Sequence, residues 1–217
     1  MKKLFAPLAA GLLLLASCTK DRISGSGTVT TENRNVANFT EVSTSGSSDV
    51  HIVQGTAFSV QVKGYNNLLP FFETKVINNT LEVGYQQGTN IHNDNIEVFV
   101  TMPSFEGARI DGSADIDVKG AFTSNSVILS VYGSGNIDIE AGSTQSLTTD
   151  ISGSGNIRAF GLAAEHADAS ITGSGTAELN VANHLKADIA GSGNIYYKGT
   201  PTLESFVSGS GKVIHRP

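Results

Sequence analysis

Gly133-Ser134-Gly135-Asn136-Ile137 is spelled again at Gly153–Ile157 and again at Gly191–Ile195. Looser copies begin at Gly25 (Gly25-Ser26-Gly27-Thr28-Val29), Gly46 (Gly46-Ser47-Ser48-Asp49-Val50) and Gly112 (Gly112-Ser113-Ala114-Asp115-Ile116). Two more begin at Gly173 (Gly173-Ser174-Gly175-Thr176-Ala177) and Gly209 (Gly209-Ser210-Gly211-Lys212-Val213). From Gly112 onward the first glycines are spaced by 21, 20, 20, 18 and 18 residues. A near-constant step of this length marks a stacked repeat architecture.

Each repeat alternates. Four residues after the first glycine stand Ile116, Ile137, Ile157, Ala177, Ile195 and Val213, and two before it stand Ile110, Val131, Ile151, Ile171, Ile189 and Val207. The positions between are mostly polar, such as Asn136, Asp138 and Glu140. Period-2 alternation predicts strands with one buried face, one strand on each side of the Gly-Ser-Gly. The two glycines are expected to supply positive φ at a corner repeated in every coil, and the small serine to keep that corner narrow. The predicted corner residues are Gly112, Gly133, Gly135, Asn136, Gly153, Gly155, Asn156, Gly173, Gly175, Gly191, Gly193, Asn194, Gly209 and Gly211. A circuit of about 20 residues at roughly 3.3 Å each has a perimeter near 60 Å, which suits a small parallel β-helix. The small residues Thr149, Ala169, Ala187 and Ser205, four before each glycine, imply a thin interior there. A plain β-sandwich is the competing reading, but it needs no identical corner in every repeat.

The N-terminus reads as an export signal. Lys2 and Lys3 precede an apolar stretch from Leu4 to Ala16 that is short for a bilayer span. Leu15-Ala16-Ser17-Cys18 resembles a bacterial lipobox, which implies lipidation of Cys18 and a mature chain of residues 18–217. The alternative is an ordinary secretory peptide with an incidental cysteine. Cys18 is the only cysteine, so no disulfide forms within one chain. The net charge is −6, or −8 without Lys2 and Lys3. No cluster of Lys and Arg is present to reward phosphates, so nucleic acid is not an expected partner.

Between Gly64 and Met102 the repeat is lost. Phe58–Val62 alternates as a strand, and Leu68-Leu69-Pro70-Phe71-Phe72 forms an apolar cluster with room for one helical turn. Thr74–Val83 reads as a hairpin turning at Asn78-Asn79, and Ile96–Val100 as a further strand. The polar stretch from Gln86 to Asn95 is the expected mobile loop. The chain thus divides into a leader (1–17), a tether with the first strand (18–35), an N-terminal β region (36–103) and the repeat helix (104–217). Residues 25–103 read as coils joined to an antiparallel excursion, with the 36–103 region covering the open end of the stack, since an uncovered coil is an exposed strand edge.

Phe39-Thr40-Glu41-Val42, the following SGSSDVHIVQG segment, NLLPFFETKVINNTLEV, VFVTMPSF and the serial GSGNI corners occur in this order. Over residues 36–215 the chain resembles the head GIN domain family of putative auto-transporter adhesins, found among exported proteins of Bacteroidetes-like bacteria. The resemblance implies an all-β, right-handed parallel β-helix and a role in adhesion, and it brings no catalytic residues. Thr176-Ala177 departs from the usual Asn-Ile.

Three columns have side chains capable of chemistry. Asn136, Asn156 and Asn194, with Asp115 and Thr176 in equivalent places, read as a ladder hydrogen-bonding along the axis. Asp49 and Asp115 are expected to cap their own turns. Asp117, Asp138, Arg158 and Glu178 form an outward charge ladder. Paired carboxylates can serve a glycosidase, but Arg158 interrupts the acids and no insertion walls a cleft beside them. His166 and His184 fall in similar places of adjacent coils, and the five histidines lack metal-site spacing. No metal, cofactor or enzymatic activity is therefore expected. The leading expectation is a lipid-anchored cell-envelope protein, at the outer membrane, that meets a glycan or surface protein through a repetitive polar face. The alternatives are a structural or sensing module docking a protein on an exposed Phe-rich patch, and a small carbohydrate-active β-helix. The first test is local: Cys18→Ser should abolish metabolic labelling with a palmitate analogue and release the protein from membranes. Labelling that persists would refute the lipobox.

Overall fold

The computed structural model describes residues 22–217, so the leader and Cys18 lie outside the described residues. The chain forms β1 (Arg22–Ser24), β2 (Val29–Arg34), β3 (Glu41–Gly46), β4 (Asp49–Gln54), β5 (Ser59–Tyr65) and β6 (Phe72–Ile77). There follow β7 (Thr80–Tyr85), β8 (Asn90–His92), β9 (Glu97–Met102), β10 (Gly107–Gly112) and β11 (Asp115–Gly133). Then come β12 (Asn136–Gly153), β13 (Asn156–Gly173), β14 (Thr176–Gly191), β15 (Asn194–Lys198), β16 (Thr202–Gly209) and β17 (Lys212–His215). Among the described residues the only helix is one 3-10 turn, Leu69–Phe71, inside the predicted apolar cluster, and none is long and apolar enough to cross a membrane.

The repeats stack as a parallel β-solenoid. Ile116 pairs with Ile137, Ile137 with Ile157, Ile157 with Ala177 and Ala177 with Ile195, and all five are fully buried. The same holds for Ile110, Val131, Ile151, Ile171 and Ile189 on the strand that enters each corner. Burying one such side chain contributes about 1.5–3 kcal/mol, so these two columns are the spine of a single core. The 18-residue steps arise after Leu179, where the register against β13 shifts and the coil loses two residues at its far bend.

The corner differs from expectation in one respect. In each Gly-Ser-Gly from Gly133 onward only the first glycine has positive φ, as at Gly133 (134°) and Gly153 (135°). The second is needed because the neighbouring coil is too close. A Cβ on Gly155 would run into the carbonyl oxygen of Gly135 and the Val131 side chain, and Gly175 meets Gly155 and Ile151 in the same way. The serine between them donates its backbone N–H to the glycine carbonyl of the coil before, Ser134 to Gly112 (2.9 Å) and Ser154 to Gly133 (2.8 Å).

Order in the stack departs from order in the chain at the N-terminal end. β3 and β4 form a coil whose Gly46 stacks on Gly112, but β7 and β9 lie beyond it, parallel to β3 and β4. Antiparallel strands then close both edges, β6 on β7, and β5 with β2 on β9. Asn78 and Asn79 turn the β6–β7 hairpin with φ of 48° and 65°. Gly25-Ser26-Gly27 is not a corner. It links β1 to β2, and β1 pairs with β8. Nor is the Gln86–Asn95 stretch free, because β8 is held by β1 and Asp94 accepts hydrogen bonds from Tyr85, Ser47, Ser48 and the Ile96 N–H. Burial and the Asp94 bond push the Tyr85 hydroxyl above its ordinary range, so it stays a donor. Leu68, Leu69 and Phe72 are buried and Phe71 half-buried, which removes the exposed apolar patch that a protein-docking reading required.

Two substitutions separate core from corner. Ile157→Asp places an unpaired charge in a dry interior and should unfold the domain. Gly155→Ala should cost about 2 kcal/mol or more through backbone overlap, whereas Ser154→Ala should stay within about 0.5 kcal/mol. Equal melting temperatures for the two alanine variants would show that the corner is not close-packed.

Candidate functional site

Side chains that face outward on a solenoid fall into rows, one row for each strand position. The row just after the corner is consumed by the stack itself. Asp49 Oδ1 accepts from the Asp115 N–H (2.8 Å), and Asp115 Oδ1 accepts from Asn136 Nδ2 (2.7 Å). Asn156 Nδ2 then donates to Asn136 Oδ1 (2.7 Å). Asp49 and Asp115 thus reach the following coil, not their own turns as expected.

The charge ladder is in register, Asp117 beside Asp138, Arg158 and Glu178. Arg158 Nη1 binds Asp138 Oδ2 at 3.0 Å, with both side chains nearly half exposed (47% and 40%). Water screens a pair of this exposure, so it contributes about 0–1 kcal/mol. The structure extends the row to His51, whose Nδ1 lies 3.1 Å from Asp117 Oδ2 and whose ring packs on Phe99. Phe160, with Lys198 Nζ 4.7 Å from its ring centre, borders the ladder in an open hollow of about 390 Å³. No deep groove holds the carboxylates. His166 and His184 are paired in register as expected, and among the described residues no three His, Cys, Asp or Glu converge on a metal position.

The most developed polar site lies on the sheet that enters the corners, and the sequence reading missed it. Glu82, Ser43, Arg109 and Ser130 come from β7, β3, β10 and β11 and stand in one outward row. With Glu41, Ser45, Thr80 and Asp111 they line a hollow of about 490 Å³. Gly107 leaves room in its floor, since a Cβ there would sit 2.8 Å from the Ile128 carbonyl oxygen. Small serines on both sides let the Arg109 side chain stand clear. Arg109 donates Nε to Asp111 Oδ2 (2.8 Å) and Nη2 to Oδ1 (2.9 Å), a bidentate pair that orients the guanidinium plane although both side chains are about half exposed. Its other restraint is the Tyr132 ring, 4.3 Å away. The Tyr132 hydroxyl donates to Asp150 Oδ2 (2.8 Å). The Asp111 hydrogen bond pushes the Arg109 pKa up, and the Asp150 bond followed by burial does the same for Tyr132, so both remain protonated donors. Thr80 Oγ1 donates to Glu41 Oε2 (3.0 Å). The result is a shallow cup of three carboxylates, one oriented guanidinium and several hydroxyls, all suited to a polyhydroxylated ligand. It draws on residues 41–45, 80–83 and 107–130 out of chain order, so no repeat signal could mark it. A glycine at position 107, interrupting an alternating strand, was the one local hint.

The family model described as "Putative auto-transporter adhesin, head GIN domain" matches residues 38–201. A solved putative adhesin from Bacteroides fragilis is 23% identical, with 89% of this chain and 100% of that one covered and a TM-score of 0.73. A solved structure from Parabacteroides distasonis, called a putative lipid binding protein, is 22% identical over 91% and 100% of the two chains, with a TM-score of 0.60. A putative adhesin from Parabacteroides merdae is 21% identical over 91% and 100%, with a TM-score of 0.57. At these identities the likeness is one of fold. No curated protein matches the chain.

Because these three side chains are at least partly exposed and Arg158–Asp138 is the one ion pair among them, replacing Asp138, Arg158 and Glu178 together by Ser should lower the melting temperature by only a few degrees, roughly 2–4 °C. A collapse of the fold on that triple change, followed by circular dichroism, would show the ladder to be structural.

Proposed function

This chain belongs to the head GIN domain family of putative auto-transporter adhesins, and on that premise we propose that it is a non-enzymatic, lipid-anchored envelope protein that binds carbohydrate through the Arg109 hollow. One observation carries the reading: a guanidinium oriented by Asp111 and Tyr132 faces Glu41, Glu82 and a set of serine and threonine hydroxyls across a cup of about 490 Å³. Sugar hydroxyls are both donors and acceptors, and such a cup offers both in fixed places. Each contact is weak in water. Many anchored copies on one surface would supply avidity, because a second engagement is intramolecular.

Anchorage at Cys18 supports a definite orientation. Only three residues separate it from Arg22, where β1 begins and pairs with β8 beside the antiparallel cap. At no more than about 3.6 Å per residue, the cap would stand near the bilayer and the C-terminal coils away from it. The cup, between β7 and β11, would sit above the cap and open sideways.

The experiment is a glycan-array screen of the chain lacking residues 1–18, with Arg109→Ala and the Asp138/Arg158/Glu178 triple-Ser variant beside it. Wild type and triple-Ser should bind the same glycans and Arg109→Ala should lose at least about tenfold in affinity. Loss in the triple-Ser variant instead would move the site to the charge ladder. New reducing ends or unsaturated products after incubation with polysaccharides would overturn the non-enzymatic reading.

A further inference from the structure

The two ends of the solenoid are finished differently. At the N-terminal end antiparallel strands are added outside the parallel coil, β6 on one side and β5 with β2 on the other. At the other end β16 pairs only with β14 and β17 only with β15, so one backbone edge of each stays open among the described residues. Every residue of β16 is exposed. Leu203 and Val207, which belong to the interior columns over Leu185 and Ile189, are 40% and 45% accessible, and the outward Phe206 is 66% accessible. Open parallel edges with an apolar interior column invite another strand.

We propose that this end pairs with the same end of a second copy of the chain, through a twofold axis at the Gly209-Ser210-Gly211 corner. β16 runs into that corner and β17 runs out of it, so the twofold lays each β16 antiparallel to the partner's β17. Residues equally far from Ser210 then face each other. On the outer face Glu204 meets Arg216 of the partner subunit, Phe206 meets Ile214 of the partner subunit, and Ser208 meets Lys212 of the partner subunit. On the inner face Val207 meets Val213 of the partner subunit. No like charges are opposed, the acid finds a base twice, and the apolar residues meet apolar residues. The strand direction is available as far as Arg216, whose N–H already bonds the Tyr197 carbonyl (2.7 Å) and whose guanidinium lies 4.6 Å from the Tyr196 ring. Among the described residues Glu204 forms no ion pair within bonding distance; its in-register neighbour Lys186 is paired with Asp168 and Asp188. The antiparallel closure is the one the chain uses on itself at its capped end. The arrangement puts the two caps at opposite ends of the pair, so with the Cys18 anchor proposed above it would join two facing surfaces; the contact itself does not depend on that anchor or on the Arg109 cup.

The test is charge reversal with rescue, read by sedimentation equilibrium of the full chain in density-matched detergent. Wild type should show a concentration-dependent dimer. Glu204→Arg and Arg216→Glu alone should each raise the dissociation constant at least about tenfold, because two attractive cross-strand pairs become repulsive. The double reversal should return it to within about threefold of wild type, an outcome that misfolding or association through residues 4–16 would not produce. A monomer at every concentration, single variants that dimerise like wild type, or a double reversal no better than the singles would each overturn the proposal.

Discussion

Successive coils touch backbone to backbone at the Gly-Ser-Gly corner, and the rest of the molecule is arranged around that contact. Gly155 rests on the Gly135 carbonyl, Gly175 on Gly155 and Gly193 on Gly175, with no side chain between them. The serine N–H bonds at the same level fix the height of each coil on the last. With the corner clamped, the strands on either side have no freedom of register, and a slip of one residue would turn the isoleucine columns out into water. The two isoleucine columns and the corner are therefore one device. Burial supplies the free energy, and the corner decides which residues are buried.

Clamping also determines what the surface can be. A solenoid repeats each outward position every coil, so its faces are rows. One row is spent on the Asp49–Asp115–Asn136–Asn156 hydrogen-bond chain, and a second is an exposed charge ladder of little energetic weight. The Arg109 cup arises where the repeat is broken. There β3 and β7 enter the stack out of chain order, and they bring Glu41, Ser43, Thr80 and Glu82 beside a β10 whose own row carries Arg109 and Asp111. The irregular end therefore aligns side chains that no repeat position brings together.

That irregular end has a structural duty as well. A parallel coil cannot close its own edge, and the chain closes it with hairpin strands and the Asp94 hub that ties Tyr85, the Ser47-Ser48 corner and the start of β9 together. Among the described residues the C-terminal coil ends in parallel strands with Leu203, Phe206 and Val207 accessible, so the two ends of the stack are finished with different strand directions.

The solenoid, its coil length, the buried columns and the Asn78-Asn79 hairpin were legible in the sequence, because each is a local pattern repeated at fixed spacing or written in residues that tolerate positive φ. The sequence also carried the family, through motifs present in order. Three matters were decided only in the tertiary structure. The role of the second glycine depends on how near the neighbouring coil comes, which no single strand specifies. The position of β3 between β7 and β10, and of β4 between β9 and β11, is a choice among parallel partners of similar pattern, and Gly25-Ser26-Gly27 shows that the letters of a corner do not make one without a coil beneath them. The Arg109 cup joins segments roughly 40, 80 and 110 residues along the chain; periodicity reports what one strand buries, and it carries no information about which outward side chains a crossover will set side by side.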